Sequence, residues 1–473
     1  MDRLSALDAS FLRIETPTAH MHVGWLSTLR LPPGQEQLDP DALADRVAAR
    51  LHLAPRFRQR VRSAPFGEPV WADDPGFRLE RHLLEHDGTE VAGDRDLSRI
   101  AGEFLTEPLD RSQPLWKILV VPRAGAGRAA VLGKVHHAMV DGLAAVELGM
   151  LLFDLAPDSA LPEPADWTPE PANPPLRLAV DSVADGALEQ FRMARRVAAM
   201  GLAPERGLRL GDTMRRAALS LAEDVIRPAP PSFLNPPIGP KRALVIRRLP
   251  LARFMRLKET RGVKLNDILL AVVAGALRRL TPLVETEPVP MRAMIPVSVR
   301  GSQEAAAGNR ITFAFVDLPL DEPNAAARLD RIHAQTSELK RSGRIAGSDA
   351  LLRSVGQLPG FLKERAARLA ASPRMYNLAV SNVPGPRLPL FAAGAEVESI
   401  YPVIPISDGH ALAIGALTYR DSIHFAAYVD PVALPEADQL RTLLAAATTE
   451  LEHSLGPSRR RPVRRTRRVR AVG

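Results

Sequence analysis

A chain of 473 residues is too long for one ordinary hydrophobic core, so two domains are the expectation. Hydrophobic residues make up 46% and charged ones 25%, which excludes a disordered chain, and the lack of cysteine excludes disulfides, thiolate catalysis and cysteine-ligated metals. The net charge of +8 looks like a nucleic-acid signal until it is located: eight arginines follow Gly456 with no acid among them, and the remaining 54 basic residues balance the 54 acidic ones.

The start, Met1-Asp2-Arg3-Leu4-Ser5, lacks the basic-then-apolar layout of a signal peptide. The longest apolar run, residues 268–277, is far short of the roughly 18 needed to span a bilayer. A cytoplasmic protein is expected, with any membrane association peripheral.

Residues 4–12 read as a short helix with Ser5 or Asp8 as N-cap. A strand follows from His20 through Leu29, with His20 and His22 alternating onto one face. Two strand histidines invite a metal reading, but no third ligand stands near them, and a structural role is the expectation, with no metal site. Residues 41–51 and 96–105 read as amphipathic helices.

Pro114-Leu115-Trp116 leads into a hairpin: strand 116–121, a turn at Ala124-Gly125-Ala126-Gly127, and a return strand 129–135. Pro114 fixes the entry and Trp116 anchors the strand in the core. The return strand ends in His136-His137-Ala138-Met139-Val140-Asp141-Gly142, and residues 143–153 then suit a buried helix. Two histidines therefore stand where a core strand stops, and an acid and a glycine where a core helix begins. Rigid elements can aim side chains from such a junction into a cleft, which suits a catalytic base.

Seven prolines between 157 and 175 mark a semi-rigid linker and a domain boundary. Arg/Ala-rich helical segments at 178–200 and 212–227 either lie on a membrane surface or solvate the bridge between domains, the latter being slightly favoured. A second proline-rich stretch, 228–240, ends the connection. Beyond it come a strand at 243–249, a helix at 251–261 and a long apolar helix opening at Asn266-Asp267, both N-cap candidates. Strands are expected at 291–300, 311–320, 376–383, 412–419 and 423–428, and helices at 324–342, 349–358, 361–371 and 435–455. Strands with interspersed helices recur in both halves, so each half reads as an α/β sandwich. The expected parts are residues 1–156, a connection at 157–240, residues 241–455, and an Arg-rich tail, 456–473.

HHAMVDG fits the HHxxxDG signature of coenzyme-A-dependent acyltransferases related to chloramphenicol acetyltransferase and to peptide-synthetase condensation domains. The neighbouring blocks sharpen the match: LSALDASFLRIE at the start, then MHVG, PLW at 114–116, LNPPIGP at 234–240, ND at 266–267, PVSVR at 296–300, GN at 308–309 and SNVPGP at 381–386. Together they resemble the bacterial wax ester synthase/diacylglycerol acyltransferase family from residue 4 to about 455. The resemblance implies two chloramphenicol-acetyltransferase-like domains with mixed sheets and an active-site tunnel between them. It implies acyl transfer from a fatty acyl-CoA, a substrate rather than a cofactor, to diacylglycerol or a long-chain alcohol. Its products are triacylglycerol or wax ester. The Arg-rich tail is outside the pattern: it is either a disordered solubilising extension or a binder of anionic lipid.

The family's motif places the general base at His137. His136 and His137 point to opposite faces of the strand end, so His136 is expected to be a buried, hydrogen-bonded support. Asp141 either caps the helix starting at Gly142 or pairs with Arg300, and in neither case is it an acid or base of the reaction. Gly142 permits a close approach or an unusual turn. Asn266, Asp267, Ser298 or a backbone N–H at the 265–267 helix start are the candidates for contacting substrate or the oxyanion. Two rivals stand beside this reading: a condensation-type enzyme for another acceptor, and a non-catalytic lipid-surface protein.

Overall fold

The structure, a computed structural model, describes residues 2–65, 67–139, 149, 151–163, 165–174, 176–184, 188, 191, 195, 227–298, 311–341 and 360–456. The chain opens with α1 (Ala6–Ile14), started by Ser5, whose hydroxyl accepts the Asp8 N–H at 3.1 Å. β1 (His22–Arg30) follows, then α2 (Pro40–Arg50), which Asp39 caps and Pro40 enters in the first turn. β2 (Gln59–Arg62) and β3 (Val70–Asp73) form a separate hairpin. β4 (Leu83–Glu85), α3 (Asp94–Thr106), β5 (Trp116–Val121) and β6 (Arg128–His136) complete the first part. The β5–β6 turn holds Gly125 at φ 96° and Gly127 at φ 64°, a left-handed pair that only glycine adopts without strain.

The second part runs β7 (Ala243–Pro250), α4 (Leu251–Arg261), α5 (Leu265–Leu280), β8 (Met291–Ser298), β9 (Ile311–Leu318), α6 (Ala325–Arg341) and α7 (Gly360–Ala370). β10 (Leu378–Pro384), β11 (Phe391–Ala392), β12 (Ala395–Val403), β13 (Leu412–Tyr419), β14 (Ser422–Val429) and α8 (Leu440–Leu455) end it. The strands make two mixed six-stranded sheets, ordered β11-β12-β1-β6-β5-β4 and β7-β14-β13-β10-β8-β9.

The sheets do not divide the chain as the sequence boundaries do. β11 and β12, from residues 391–403, cross into the first sheet, where β12 pairs antiparallel with β1 from Gly24↔Val403 to Arg30↔Glu396. The connection is also tied down at its far end. Asn235 donates to the carbonyls of Asn377 and Gly409, and Asn377 donates to Asn235 Oδ1 and the Pro230 carbonyl.

Among the described residues, three large cores follow from this layout. α5 is buried along nearly its whole length between the second sheet and α8, each fully buried leucine or isoleucine contributing roughly 1.5–3 kcal/mol. The outer face of the first sheet packs on Trp71, Phe57 and Trp116. Between the sheets, Leu26, Ala130 and Leu132 of the first meet Leu244, Ile246, Ala413 and Tyr428 of the second in one shared cluster. The close fit of the first sheet requires Gly133: a Cβ there would lie 1.9 Å from the Trp25 indole.

Candidate active site

The two histidines are fixed first by backbone. His136 N–H donates to the Leu115 carbonyl and His137 N–H to that of Met21, each at 2.9 Å. The strand end is thus gripped from one side by Pro114-Leu115-Trp116 and from the other by the turn before β1. Trp116 is buried, donates its indole N–H to the Phe57 carbonyl at 2.8 Å and stacks on His82.

His136 is fully buried on the face shared with His22, its register partner in β1. Its Nδ1 accepts the Ala138 N–H at 3.0 Å, so the neutral ring carries its proton on Nε2, which lies 3.7 Å from Glu15 Oε2. Burial pushes its pKa down to about 3, helped by the nearby charges of Arg111 and His137.

His137 opens the 3₁₀ turn His137–Met139 and is half-buried. Phe11 stacks flat on its imidazole, ring centroids 3.7 Å apart and planes 14° from parallel. Nδ1 is buried and makes no regular hydrogen bond. Burial lowers its pKa to about 4, opposed by the ring's own backbone carbonyl. The ring is neutral at pH 7 and can accept a proton.

Phe11 belongs to α1, which Arg111 holds in place by donating to Glu15 at 2.7 Å and to the Leu12 carbonyl at 2.8 Å. Glu15 has its pKa raised by burial, against the pull of Arg111. The segment after α1 also meets the second half. Thr16 and Thr18 donate to Asp408 at 3.0 and 2.6 Å, and buried Arg242 donates to the Thr18 carbonyl. Glu68 ties Arg13 to Lys363 of α7. The histidine turn therefore lies at the seam of the two halves.

Asn266 and Asp267 open α5 one and two residues inside its start, so neither is the N-cap. Asp267 is buried and accepts from Lys264 N–H, from Thr336 at 2.8 Å and from His333 Nδ1 at 2.7 Å. A carboxylate filled by three donors anchors α5 to α6; it is not a donor to an oxyanion. Asn266 is half-buried with no side-chain hydrogen bond, and none joins either residue to His136 or His137 among the described residues. Ser298 ends β8, its side chain outside the described residues, as are Asp141, Gly142, Arg300 and the helix read at 349–358. His20 and His22 are buried with ring centroids 5.4 Å apart, and no group of three metal-binding side chains occurs among the described residues.

Several site residues escape the sequence reading. Phe11, Glu15, Arg111 and Arg242 are named above, and Lys134 is wholly buried, donating to the carbonyls of Phe104 (2.5 Å) and Glu107 (2.6 Å). Burial lowers its pKa to about 8. The clue to Lys134 was a lone lysine in an apolar strand. A cleft of about 240 Å³ lined by Arg128, Arg247, Arg248 and Arg441 lies at the opposite end of β6.

A family model described as the wax ester synthase/diacylglycerol acyltransferase catalytic domain matches residues 4–269, and its C-terminal domain model matches 307–452. A Mycobacterium tuberculosis protein named a probable diacylglycerol O-acyltransferase is 32% identical, covering 96% of this chain and 100% of its own. The solved wax ester synthase/diacylglycerol acyltransferase of Marinobacter aquaeolei superposes with a TM-score of 0.67 at 26% identity, over 96% of this chain and 100% of that one. The starter condensation domain of rhizomide synthetase shares the fold, with a TM-score of 0.57 at 14% identity over 95% and 94% of the two chains.

Proposed function

The chain belongs to the wax ester synthase/diacylglycerol acyltransferase family, and from that premise we propose that it moves a long-chain acyl group from acyl-CoA to the hydroxyl of diacylglycerol or a long-chain alcohol, with His137 as general base. The observation carrying this is a neutral, half-buried imidazole stacked on Phe11 at the seam of the halves.

The substrates meet in a tunnel between the halves. Nε2 takes the alcohol proton as the oxygen attacks the thioester carbonyl carbon. The tetrahedral oxyanion then collapses, the C–S bond breaks, and the imidazolium returns its proton to the CoA sulfur. A ring with pKa about 4 accepts the proton less readily than free imidazole but delivers it more readily to the thiolate. No covalent acyl-enzyme is required. Asn266, whose side chain has no hydrogen bond among the described residues, is our candidate oxyanion donor.

His137→Gln should lower kcat by about 10²–10⁴-fold with an unchanged melting temperature. Labelled acyl-CoA with diacylglycerol or hexadecanol, resolved by thin-layer chromatography, reads both the rate and the acceptor. Wild-type turnover by the variant removes the base assignment.

The acceptors are poorly soluble, so access from a lipid surface belongs to the same reading. No helix among the described residues is long and apolar enough to cross a membrane. Residues 176–184 are helical; Leu178 packs against Ala64 and Val70, and Ser182 is buried beside it. On the opposite side Leu176, Val180 and Val183 are 77%, 60% and 60% exposed. That stripe, beside exposed Arg177, supports shallow insertion into an anionic surface. The helix is membrane-facing in this reading, not a solvated bridge. Val180→Asp/Val183→Asp should abolish sedimentation with phosphatidylglycerol vesicles, and truncation after Gly456 should weaken it only at low salt. Unchanged sedimentation of the double variant rejects the helix.

A further inference from the structure

The block LSALDASFLRIE has no part in the chemistry as written, yet its helix reaches both histidines. Phe11 lies on the imidazole of His137, and four residues on, Glu15 lies 3.7 Å from the protonated nitrogen of His136. Arg111 clamps the end of this helix through Glu15 and the Leu12 carbonyl. We propose that Phe11 is a positioning residue for His137, a flat floor that fixes the plane of the imidazole and thereby the direction of Nε2. This deepens, and rests on, the base assignment.

The argument is geometric. Backbone hydrogen bonds hold the His137 main chain, but its Nδ1 meets no regular partner that would fix χ2. The carboxylate or carbonyl that commonly orients a base is replaced by an aromatic face 3.7 Å away and 14° from parallel. A ring so stacked cannot turn about χ2 without colliding with the face beneath. It also covers one face of the imidazole. When His137 takes the proton it becomes a cation, and a cation within about 6 Å of an aromatic face is stabilised by the ring quadrupole. The same contact therefore serves alignment beforehand and charge in the transition state.

The test compares Phe11→Leu, which keeps an apolar side chain but removes the ring, with Phe11→Tyr, which keeps the flat face. Steady-state rates are taken with palmitoyl-CoA and dioleoylglycerol, alongside thermal melts and His137→Gln. Phe11→Leu should lower kcat by about 10–100-fold, the scale of a misplaced catalytic group. KM for palmitoyl-CoA and the melting temperature should hold. Phe11→Tyr should restore at least half the rate, and Phe11→Leu should cost nothing more in the His137→Gln background. Wild-type kcat in Phe11→Leu, or equal losses in Leu and Tyr variants, overturns the proposal. Should Phe11→Leu fail to fold, Phe11→Met of similar bulk takes its place under the same criteria. An active His137→Gln would instead defeat the base assignment, so the two failures are separable.

Discussion

His22 sits directly opposite His136 in the β1–β6 ladder, so two buried imidazoles share one face of the first sheet. Burial lowers the pKa of both, His136 to about 3, and in the second half it takes His410 and His424 to about 4. These rings fold neutral.

An unfolded histidine titrates near 6.5, so between about 6.5 and 4 the unfolded chain binds protons that the folded one does not. The resulting stability is complete above pH 6.5 and is lost as pH falls toward about 4. For His410 and His424, held at about 4, the depression corresponds to about 3 kcal/mol each. The urea midpoint should stay level from pH 8 to 7 and drop steadily from pH 6.5 to 4.5. A midpoint that is flat to pH 4.5 would contradict the neutral, buried rings.

The rate profile follows from His137. With a pKa of about 4, the base remains unprotonated well below neutrality. kcat/KM should stay level from pH 8 down to about 5.5, with its acidic limb descending toward 4. Initial rates on protein shown to remain folded measure this. A limb centred at 6.5 would mean an ordinary, solvated imidazole.

Asp154 is almost wholly buried between Arg46, at 2.5 Å, and Arg50, and its backbone pairs with Phe391 of β11. Asp154→Ala removes the buried carboxylate that the two guanidinium groups share. It should cost about 3–5 kcal/mol in denaturant unfolding. A loss under 1 kcal/mol would show that the arginines find water instead.

Gly133→Ala places a methyl group into the Trp25 indole. Overpacking should cost about 1–3 kcal/mol. Trp25→Leu in the same chain should recover part of it. Additive losses in the double variant would place the strain elsewhere.

Much of the architecture is readable from periodicity and punctuation. The β5–β6 hairpin, its Gly-rich turn, α4 and β13 fall where alternation and glycine place them, because each is specified by its own residues. β12 is not legible as a strand from its own residues. Glu396 and Glu398 alternate with buried Val397 and Ser399, but the partner that gives the segment its role, β1, is over 360 residues away in sequence. At the site, the histidine pair is marked by its motif, whereas Phe11, Glu15 and Arg111 are ordinary helix and loop residues until the fold joins them. Asp267 is the opposite case: a polar side chain at a helix start suggests a free ligand, and here three donors occupy it.

The placement of β12 bears on how the protein is made. During synthesis β1 and β6 leave the ribosome early, but the strand that covers the flank of β1 emerges only after residue 403. For more than half of translation a long, unpaired strand edge is exposed, the kind of edge that recruits strands from other nascent chains. A fragment ending near residue 156 should therefore clump when expressed alone, and the whole chain should depend on chaperones until its last third has been read.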